Sequence, residues 1–144
     1  MPFPTRLLPP PLRKRFERKS SEPVTSEKTV LLVSDDPEVQ RELRYAFPAD
    51  IELEVVDDAT PAWDRMKAIT PGLVIASIRT GNAGGFALSS DMDMDPRLAR
   101  IPRLFLLERA EDTWLAKEGG ATKVRVAPFE ASDLVTDALD LLHS

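Results

Sequence analysis

The sequence predicts an α/β domain in which a parallel sheet is covered by helices on both faces. From Thr29 onward, short apolar runs rich in Val, Leu and Ile alternate with longer stretches of helical character. Such alternation is typical of βαβ units, and continuous apolar runs are typical of strands buried on both faces. The predicted strands are 29–34, 51–57, 72–78, 102–107 and 122–126. The predicted helices are 37–46, 60–69, 85–94, 110–118 and 131–142.

Local signals support two of the helix boundaries. Asp36 precedes Pro37, which places a capping carboxylate before a proline at the first helical position. Gly119 and Gly120 end the fourth predicted helix, because glycine is the preferred residue just beyond a helix C-terminus.

Charge divides the 144-residue chain into two parts. The net charge is -5, but residues 1–19 contain six basic residues against one acid, so residues 20–144 contain 13 basic residues against 23 acids. This asymmetry predicts a basic arm on an acidic body. We assign residues 1–28 to an arm with its linker and residues 29–144 to the folded domain.

The arm is rich in proline. Five of the 13 prolines lie within the first 11 residues, and the run 9–11 favours an extended, polyproline-like chain. Pro11 is suited to open a short helix over 12–19, and residues 20–27 are interpreted as a linker.

Composition excludes several classes of protein. The absence of cysteine excludes disulfides and thiolate metal sites. No apolar run is long enough for a membrane-spanning helix, and prolines interrupt the short apolar stretch near Met1, so a secretory signal is not predicted. A cytoplasmic protein is the expectation.

Two motifs place polar groups at strand ends. The apolar run that begins at Thr29 ends in the acid pair Asp35 and Asp36, and the run 73–77 ends at Ser77 before a glycine-rich turn. In a doubly wound sheet, ligands bind beyond the carboxyl ends of the strands at the switch point. We therefore expect these three side chains to converge.

These motifs resemble those of response-regulator receiver domains over residues 29–142. In that family an acid pair after the first strand holds magnesium, and an aspartate that ends the third strand accepts phosphate. The resemblance implies a (βα)5, flavodoxin-like fold with five parallel strands in the order 2-1-3-4-5. Here the acid pair is retained as Asp35 and Asp36, whereas Ser77 stands at the position of the phosphate acceptor.

Two further positions depart from the family pattern. Leu107 stands where receivers carry a switch hydroxyl at the end of the fourth strand, and Ala127 stands where they carry a lysine before a Pro-Phe pair. The resemblance therefore implies a degenerate phosphorylation site at Ser77, Leu107 and Ala127. We expect a non-catalytic pseudo-receiver without a cofactor, and the alternative is an atypical orphan regulator controlled by a ligand or partner at the acid pair.

The acid pair has two interpretations. Two carboxylates without a third would form a weak magnesium site. Alternatively Asp36 caps the first helix, Asp35 is solvated or paired with Arg79 or Arg103, and no metal binds. Ser77 would need an adjacent base to act as a nucleophile. The single histidine lies next to the C-terminus, which favours an inert Ser77.

The arm has three candidate partners: nucleic acid, an anionic membrane surface and a protein. The body is acidic and no DNA-reading motif accompanies the arm, and a segment stiffened by proline loses less entropy on binding, so we favour a protein partner and expect no nucleic acid. The predicted partner-binding residues of the arm are Phe3, Leu7, Leu8, Leu12, Arg13, Lys14, Arg15 and Phe16.

A second candidate docking surface lies on the fourth helix and fifth strand. Trp114, Leu115 and Arg125 mark it, since receivers commonly use this region for output or dimerisation. The other interpretation of Arg125 is a charge that protects an edge strand.

A receiver that cannot be phosphorylated and that carries a long arm is similar to a response-regulator-like accessory subunit of mycobacterial respiratory complex I. This resemblance implies peripheral-arm partners and a position on the cytoplasmic side of the membrane.

Overall fold

The computed structural model describes residues 24–78 and 84–143, and it describes side chains over 28–78 and 86–143. Five strands alternate with five helices along this part of the chain. The strands are β1 Val24–Val33, β2 Glu52–Val56, β3 Ile69–Ser77, β4 Arg103–Leu107 and β5 Lys123–Val126. The helices are α1 Pro37–Ala46, α2 Ala59–Ala68, α3 Gly84–Asp93, α4 Thr113–Glu118 and α5 Ala131–Leu142, with a 3-10 turn at Ala110–Asp112 before α4.

The strands form one sheet in the order β2-β1-β3-β4-β5, and all four neighbouring pairs are parallel. The predicted doubly wound, receiver-like topology is therefore confirmed. β1 is an interior strand, because Val33 lies opposite Val56 of β2 on one side and Ala76 of β3 on the other. All strands run in one direction, so their carboxyl ends meet at one edge of the sheet.

β1 and β3 begin earlier than the sequence predicted. β1 begins at Val24, inside the predicted linker, and Val24 pairs with Ile69 of β3. The sequence predicted residue 69 in the second helix, but α2 ends at Ala68 and β3 begins at Ile69. β-branched residues such as Val24 and Ile69 favour strands, and their mutual pairing outweighed the linker pattern. The structure does not test the division of the chain into an arm and a domain.

Two apolar layers cover the two faces of the sheet. Alternate strand residues point to opposite faces, so Leu31 and Val33 lie in one layer while Val30 and Leu32 lie in the other. The first layer packs against α2, α3 and α4, and the second packs against α1 and α5. The interior strands β1 and β3 are therefore apolar on both faces, as expected for a parallel sheet, whereas the edge strands β2 and β5 carry charged residues on one face.

Ion pairs attach both edge strands to neighbouring helices. Arg65 of α2 binds Glu54 of β2 through two hydrogen bonds of 2.8 Å. At the opposite edge, the buried Asp137 of α5 accepts from Lys123 and Arg125 of β5. Among the helices of the described residues, none has the length and apolar character needed to cross a membrane.

Candidate functional site

A small cleft lies at the carboxyl ends of β1, β3, β4 and β5. Its volume is about 110 Å³. The structure brings together around it five residues that the sequence singled out, namely Asp35, Asp36, Ser77, Leu107 and Ala127. The remaining wall is formed by Val39, Ile78, Leu106, Glu108 and Phe129.

Asp36 is committed to the first helix. Its Oδ1 accepts a hydrogen bond of 2.9 Å from the backbone N–H of Glu38, and Pro37 follows at the first helical position. The predicted cap is therefore confirmed. Asp35 is exposed beside it. Of the alternatives considered for Asp35, pairing with Arg103 is wrong, because the guanidinium of Arg103 lies near the amino ends of the strands and binds Asp93. Arg79 lies outside the described residues.

The hydroxyl of Ser77 is held by a second serine. Ser77 Oγ donates to Ser34 Oγ over 3.3 Å, and the backbone N–H of Asp36 donates to the same Ser34 oxygen over 3.2 Å. Ser34 is completely buried, and its carbonyl accepts from the side-chain amide of Gln40. Sequence reasoning missed Ser34, although a hydroxyl that interrupts an apolar run directly before the acid pair was a visible signal.

The ends of β4 and β5 bring neither a hydroxyl nor an ammonium group to the cleft. Leu107 is 1% exposed and belongs to the apolar core, while Ala127 is exposed. The two backbones are joined by a 2.8 Å hydrogen bond from the N–H of Ala127 to the carbonyl of Leu107, and the peptide bond from Ala127 to Pro128 is cis.

The charge of the cleft is negative. Asp35, Asp36 and the exposed Glu108 contribute carboxylates, and no basic residue is among the described residues that line it. Sequence reasoning missed Glu108, which directly follows the apolar run of β4. Like charges repel at short range, so the described lining favours a cation and disfavours a phosphoryl group.

The capacity of the cleft to hold a metal ion depends on how its carboxylates are arranged. Within the described ranges, no group of three His, Cys, Asp or Glu side chains is placed to hold a metal ion. Magnesium requires near-octahedral oxygen coordination, usually with one or two carboxylates and several waters. Asp36 Oδ1 already accepts from the helix backbone, which makes this carboxylate a weaker metal ligand than one without such a bond.

Trp114 and Leu115 are consecutive apolar residues on α4 that are both exposed. Their exposed fractions are 70% and 47%. This location agrees with the predicted docking surface, whose role the structure does not test. The predicted partner-binding residues of the arm, from Phe3 to Phe16, lie outside the described residues.

Arg125 is engaged within the molecule. Its Nε and Nη2 lie 2.6 and 3.2 Å from the two carboxylate oxygens of Asp137, and Lys123 Nζ lies 2.8 Å from Oδ1. Burial raises the pKa of Asp137, but hydrogen bonds from Arg125 and Lys123 outweigh it, so the pKa lies below its usual value. The same hydrogen bond and the nearby negative charge raise the pKa of Arg125. The geometry supports a structural role at the sheet edge, and docking by Arg125 stays a prediction.

Comparison with known proteins identifies relatives among signalling proteins. The response regulator Rre1 of Synechocystis sp. is 29% identical over 119 residues, which is 79% of this chain and 51% of that protein. The chain therefore spans about half the length of this curated relative. No protein-family model matches the chain.

Solved receiver structures share the fold. The chemotaxis response regulator CheY4 of Vibrio cholerae matches with a TM-score of 0.74 and 21% identity, over 81% of this chain and 99% of that chain. The receiver domain of a Pseudomonas aeruginosa sensor histidine kinase matches with a TM-score of 0.71 and 17% identity, over 83% of this chain and 100% of that chain. Magnesium is coordinated in the active-site cleft of that domain. The chain thus has the receiver fold and homologues among response regulators.

Proposed function

We propose that this chain is a pseudo-receiver, a non-catalytic module that binds proteins and does not accept phosphate at the usual position. The observation that carries the proposal is the hydroxyl of Ser77 at the carboxyl end of β3, which is hydrogen-bonded to Ser34. By the resemblance to receiver sequences, this position corresponds to the acceptor carboxylate. A serine hydroxyl forms a phosphate ester and not an acyl phosphate. Three carboxylates around the cleft also repel an incoming phosphoryl group.

Positions 107 and 127 also lack the groups that a phosphorylated receiver would need. A switch hydroxyl at position 107 would require a polar atom in the apolar core, and a cation at position 127 would be needed to neutralise the phosphoryl charge. Restoring the carboxylate alone therefore leaves the phosphoryl group without its hydrogen-bond donor and without its counter-charge.

Phosphorylation tests this part of the proposal. The purified chain is incubated with acetyl phosphate and magnesium, and intact mass and acid-labile phosphate are measured. We expect no modification of the wild-type chain and no switching in Ser77→Asp. A triple variant with Ser77→Asp, Leu107→Thr and Ala127→Lys carries all three receiver groups and is the positive control. Its phosphorylation would show that the fold itself permits the reaction. Stoichiometric acid-labile phosphate on the wild-type chain would contradict the proposal.

We further propose that the chain acts as an accessory or regulatory subunit of a larger assembly. Two features support protein binding: the basic, proline-rich arm, and the exposed apolar side chains of Trp114 and Leu115. Large apolar side chains that are exposed side by side are typical of interaction surfaces, in which aromatic residues are enriched. The arm adds positive charge that would complement an acidic partner.

The assembly that we propose is a respiratory NADH–quinone oxidoreductase, complex I, with contacts to its peripheral-arm subunits. The combination of a degenerate phosphorylation cleft with a long basic arm supports this assignment. The chain would then lie on the cytoplasmic side of the membrane, attached through the membrane-bound complex.

Co-purification separates the two contact surfaces. A deletion of residues 1–23 removes the arm up to the first residue of β1, so that the pairing of Val24 with Ile69 is preserved. We expect this deletion to release the chain from the purified complex, and Trp114→Ala to weaken its retention. Tyr45→Ala is a matched control, because Tyr45 is 87% exposed on a different helix. Full retention of the truncated chain would place the anchor on α4 instead.

One observation favours the alternative, an orphan regulator controlled by a ligand at the acid pair. The cleft is open, polar at its rim and bounded by Asp35, Asp36 and Glu108. Such a site would take a small cation. Cation binding that changes the affinity for a partner would support this alternative over a purely structural role.

A further inference from the structure

A buried arginine lies at the opposite edge of the sheet from the acid-pair cleft. Arg103 is the first residue of β4 and is 3% exposed, whereas the rest of that strand is apolar. Transfer of a guanidinium group from water into the interior is unfavourable unless it is paired and hydrogen-bonded. An arginine within a strand buried on both faces therefore requires a specific set of partners.

Most of these partners come from α3 and the loop that follows it. Nη1 lies 2.8 Å from a carboxylate oxygen of Asp93 and 2.9 Å from Ser89 Oγ. Nη2 donates to the carbonyls of Ala99 and Leu98 over 3.2 and 3.5 Å. Nε is buried without a hydrogen-bond partner. These contacts engage the two terminal nitrogens of the guanidinium group and leave the Nε–H donor without an acceptor.

The turn between α4 and β5 lies close to the guanidinium group of Arg103. Gly120 has a φ of 101°, and a Cβ at this position would lie 2.9 Å from Arg103 Nη1 and 2.8 Å from Ser89 Oγ. A side chain would therefore clash with the arginine and its partner. Glycine at position 120 is therefore required for this close approach of the backbone to Arg103.

The guanidinium lies at the wall of an open cavity of about 520 Å³, which we call the basal cavity. Its lining includes Arg103 together with Asp93 and Gly120, which both lie beside Nη1. The exposed Arg100 also lines the cavity, so the lining contains two arginines and one carboxylate. Apolar side chains complete the cavity, among them Ile101, Pro102, Leu141 and Leu142.

We infer that the basal cavity binds a small organic oxyanion between Arg100 and Arg103, with the apolar part of the ligand against the Ile101 and Leu141 wall. Arginine suits this ligand, since its planar fork of donors matches the oxygens of a carboxylate or phosphate. Small-molecule sites combine apolar walls with a few convergent polar groups, and the basal cavity offers both kinds of lining.

A purely structural role for Arg103 explains less of the molecule. It accounts for the contacts to Asp93, Ser89 and the two carbonyls. It does not account for the second arginine in the wall or for the volume of the cavity. An oxyanion would compete with Asp93, whose side chain is 54% exposed and is able to turn toward water.

Binding is tested by NMR titration of the full chain with benzoate and with inorganic phosphate at constant ionic strength. Benzoate combines a carboxylate with an apolar ring, and benzamide serves as its uncharged analogue. We expect saturable shifts of the Arg103 Nε–H signal and of the Thr122 amide with benzoate, and none with benzamide. Absence of saturation with both anions, or equal binding of benzamide, would overturn the inference.

Three variants sharpen this test. Loss of a charge-assisted hydrogen bond is worth about tenfold in affinity, so Arg100→Ala should weaken benzoate binding by about that factor. Asp93→Asn should tighten binding, because it removes the competing carboxylate. Arg44→Ala is the matched control, since Arg44 is exposed on α1. Equal weakening by Arg44→Ala and Arg100→Ala would indicate non-specific attraction and would overturn the inference.

Discussion

The strands end at two opposite sides of the sheet, which we call the carboxyl edge and the amino edge, and these two sides differ in where they place charge. At the carboxyl edge, carboxylates line an open cleft and the buried polar groups are neutral, with Ser77 bonded to Ser34. At the amino edge, the positive charge of Arg103 is buried against Asp93 and backbone carbonyls. The pseudo-receiver that we propose has lost its phosphate acceptor at the carboxyl edge. We therefore expect substitutions in the cleft to change the free energy of unfolding little, and substitutions of the buried charge at the amino edge to change it more.

The physical basis is desolvation. A neutral hydrogen bond contributes only about 0.5–1.5 kcal/mol net, because the unfolded chain makes similar bonds with water. Removal of one partner from a buried charged network leaves other groups uncompensated and costs about 3–5 kcal/mol. Substitutions at the two edges should therefore differ severalfold in their effect on the free energy of unfolding.

The largest expected effect follows Arg103→Ala. Ser89 and the carbonyls of Leu98 and Ala99 would lose their donor, and the space of the side chain would become a cavity. We expect a loss of about 3 kcal/mol in the free energy of unfolding, at the lower end of the range for buried pairs because Asp93 is half-exposed. Urea denaturation measures this change.

Arg100→Ala provides the control for that measurement. Arg100 lines the same cavity but is exposed, so its substitution should change the free energy of unfolding by less than about 0.5 kcal/mol. If both variants lose the same small amount of stability, the amino edge does not depend on its buried charge and the contrast between the edges is wrong.

An intermediate effect is expected for Asp137→Asn, which alters the ion pairs between α5 and β5. Asp137 is buried, but Lys123 and Arg125 are partly solvated and would be hydrated after its loss. We expect about 1–3 kcal/mol of destabilisation near neutral pH. Asp140→Asn is the control, because Asp140 is an exposed carboxylate on the same helix.

The same pair predicts a dependence on pH. The pKa of Asp137 is lowered in the folded state, so its contribution is fully present above the unfolded value of about 3.9 and is lost as the pH falls through the folded pKa. The difference in stability between the wild-type chain and Asp137→Asn should therefore shrink in acid. A difference that grows as the pH falls would contradict the assigned direction of the shift.

The fold was predictable because its signals are periodic. Apolar runs such as 72–78 recur between helical stretches, and every strand is needed to bury both faces of the sheet. The start of β1 at Val24 was not predictable, because it depends on pairing with Ile69, which is far away in sequence. The burial of Arg103 was missed for a similar reason, since its partners lie on α3 and in the loop after it.

The location of the cleft was predictable from topology alone. Asp35, Asp36 and Ser77 each follow or end a strand, and parallel strands bring such residues to one edge. The bond between Ser34 and Ser77 could not be derived in the same way. It requires the register in which Val33 lies opposite Ala76, and the sequence does not specify that register to one residue.

A small effect is expected when that bond is removed. Ser34→Ala and Ser77→Ala should each reduce the free energy of unfolding by about 1 kcal/mol or less, since a neutral hydrogen bond contributes no more than that on average. A double-mutant cycle isolates the interaction between the two hydroxyls. A coupling as large as the loss in Arg103→Ala would remove the contrast between the two edges.

The smallest expected effect is that of magnesium. With Asp36 accepting from Glu38, a site at Asp35 should have a dissociation constant of about 1 mM or weaker. Stabilisation follows RT ln(1 + [L]/Kd), so about 1 mM magnesium would then contribute only about 0.4 kcal/mol.

Such a gain should raise the melting temperature by no more than about 2–3 °C. Thermal denaturation with and without the metal measures it, and Asp35→Asn should abolish the shift. Glu108→Gln tests whether the third carboxylate of the cleft adds to the attraction. A stabilisation of about 2.7 kcal/mol would require a hundredfold excess over the dissociation constant. If a gain of that size vanished in Asp35→Asn, the cleft would hold a real cation site, and the ligand-controlled regulator would replace the pseudo-receiver as the better description of this edge.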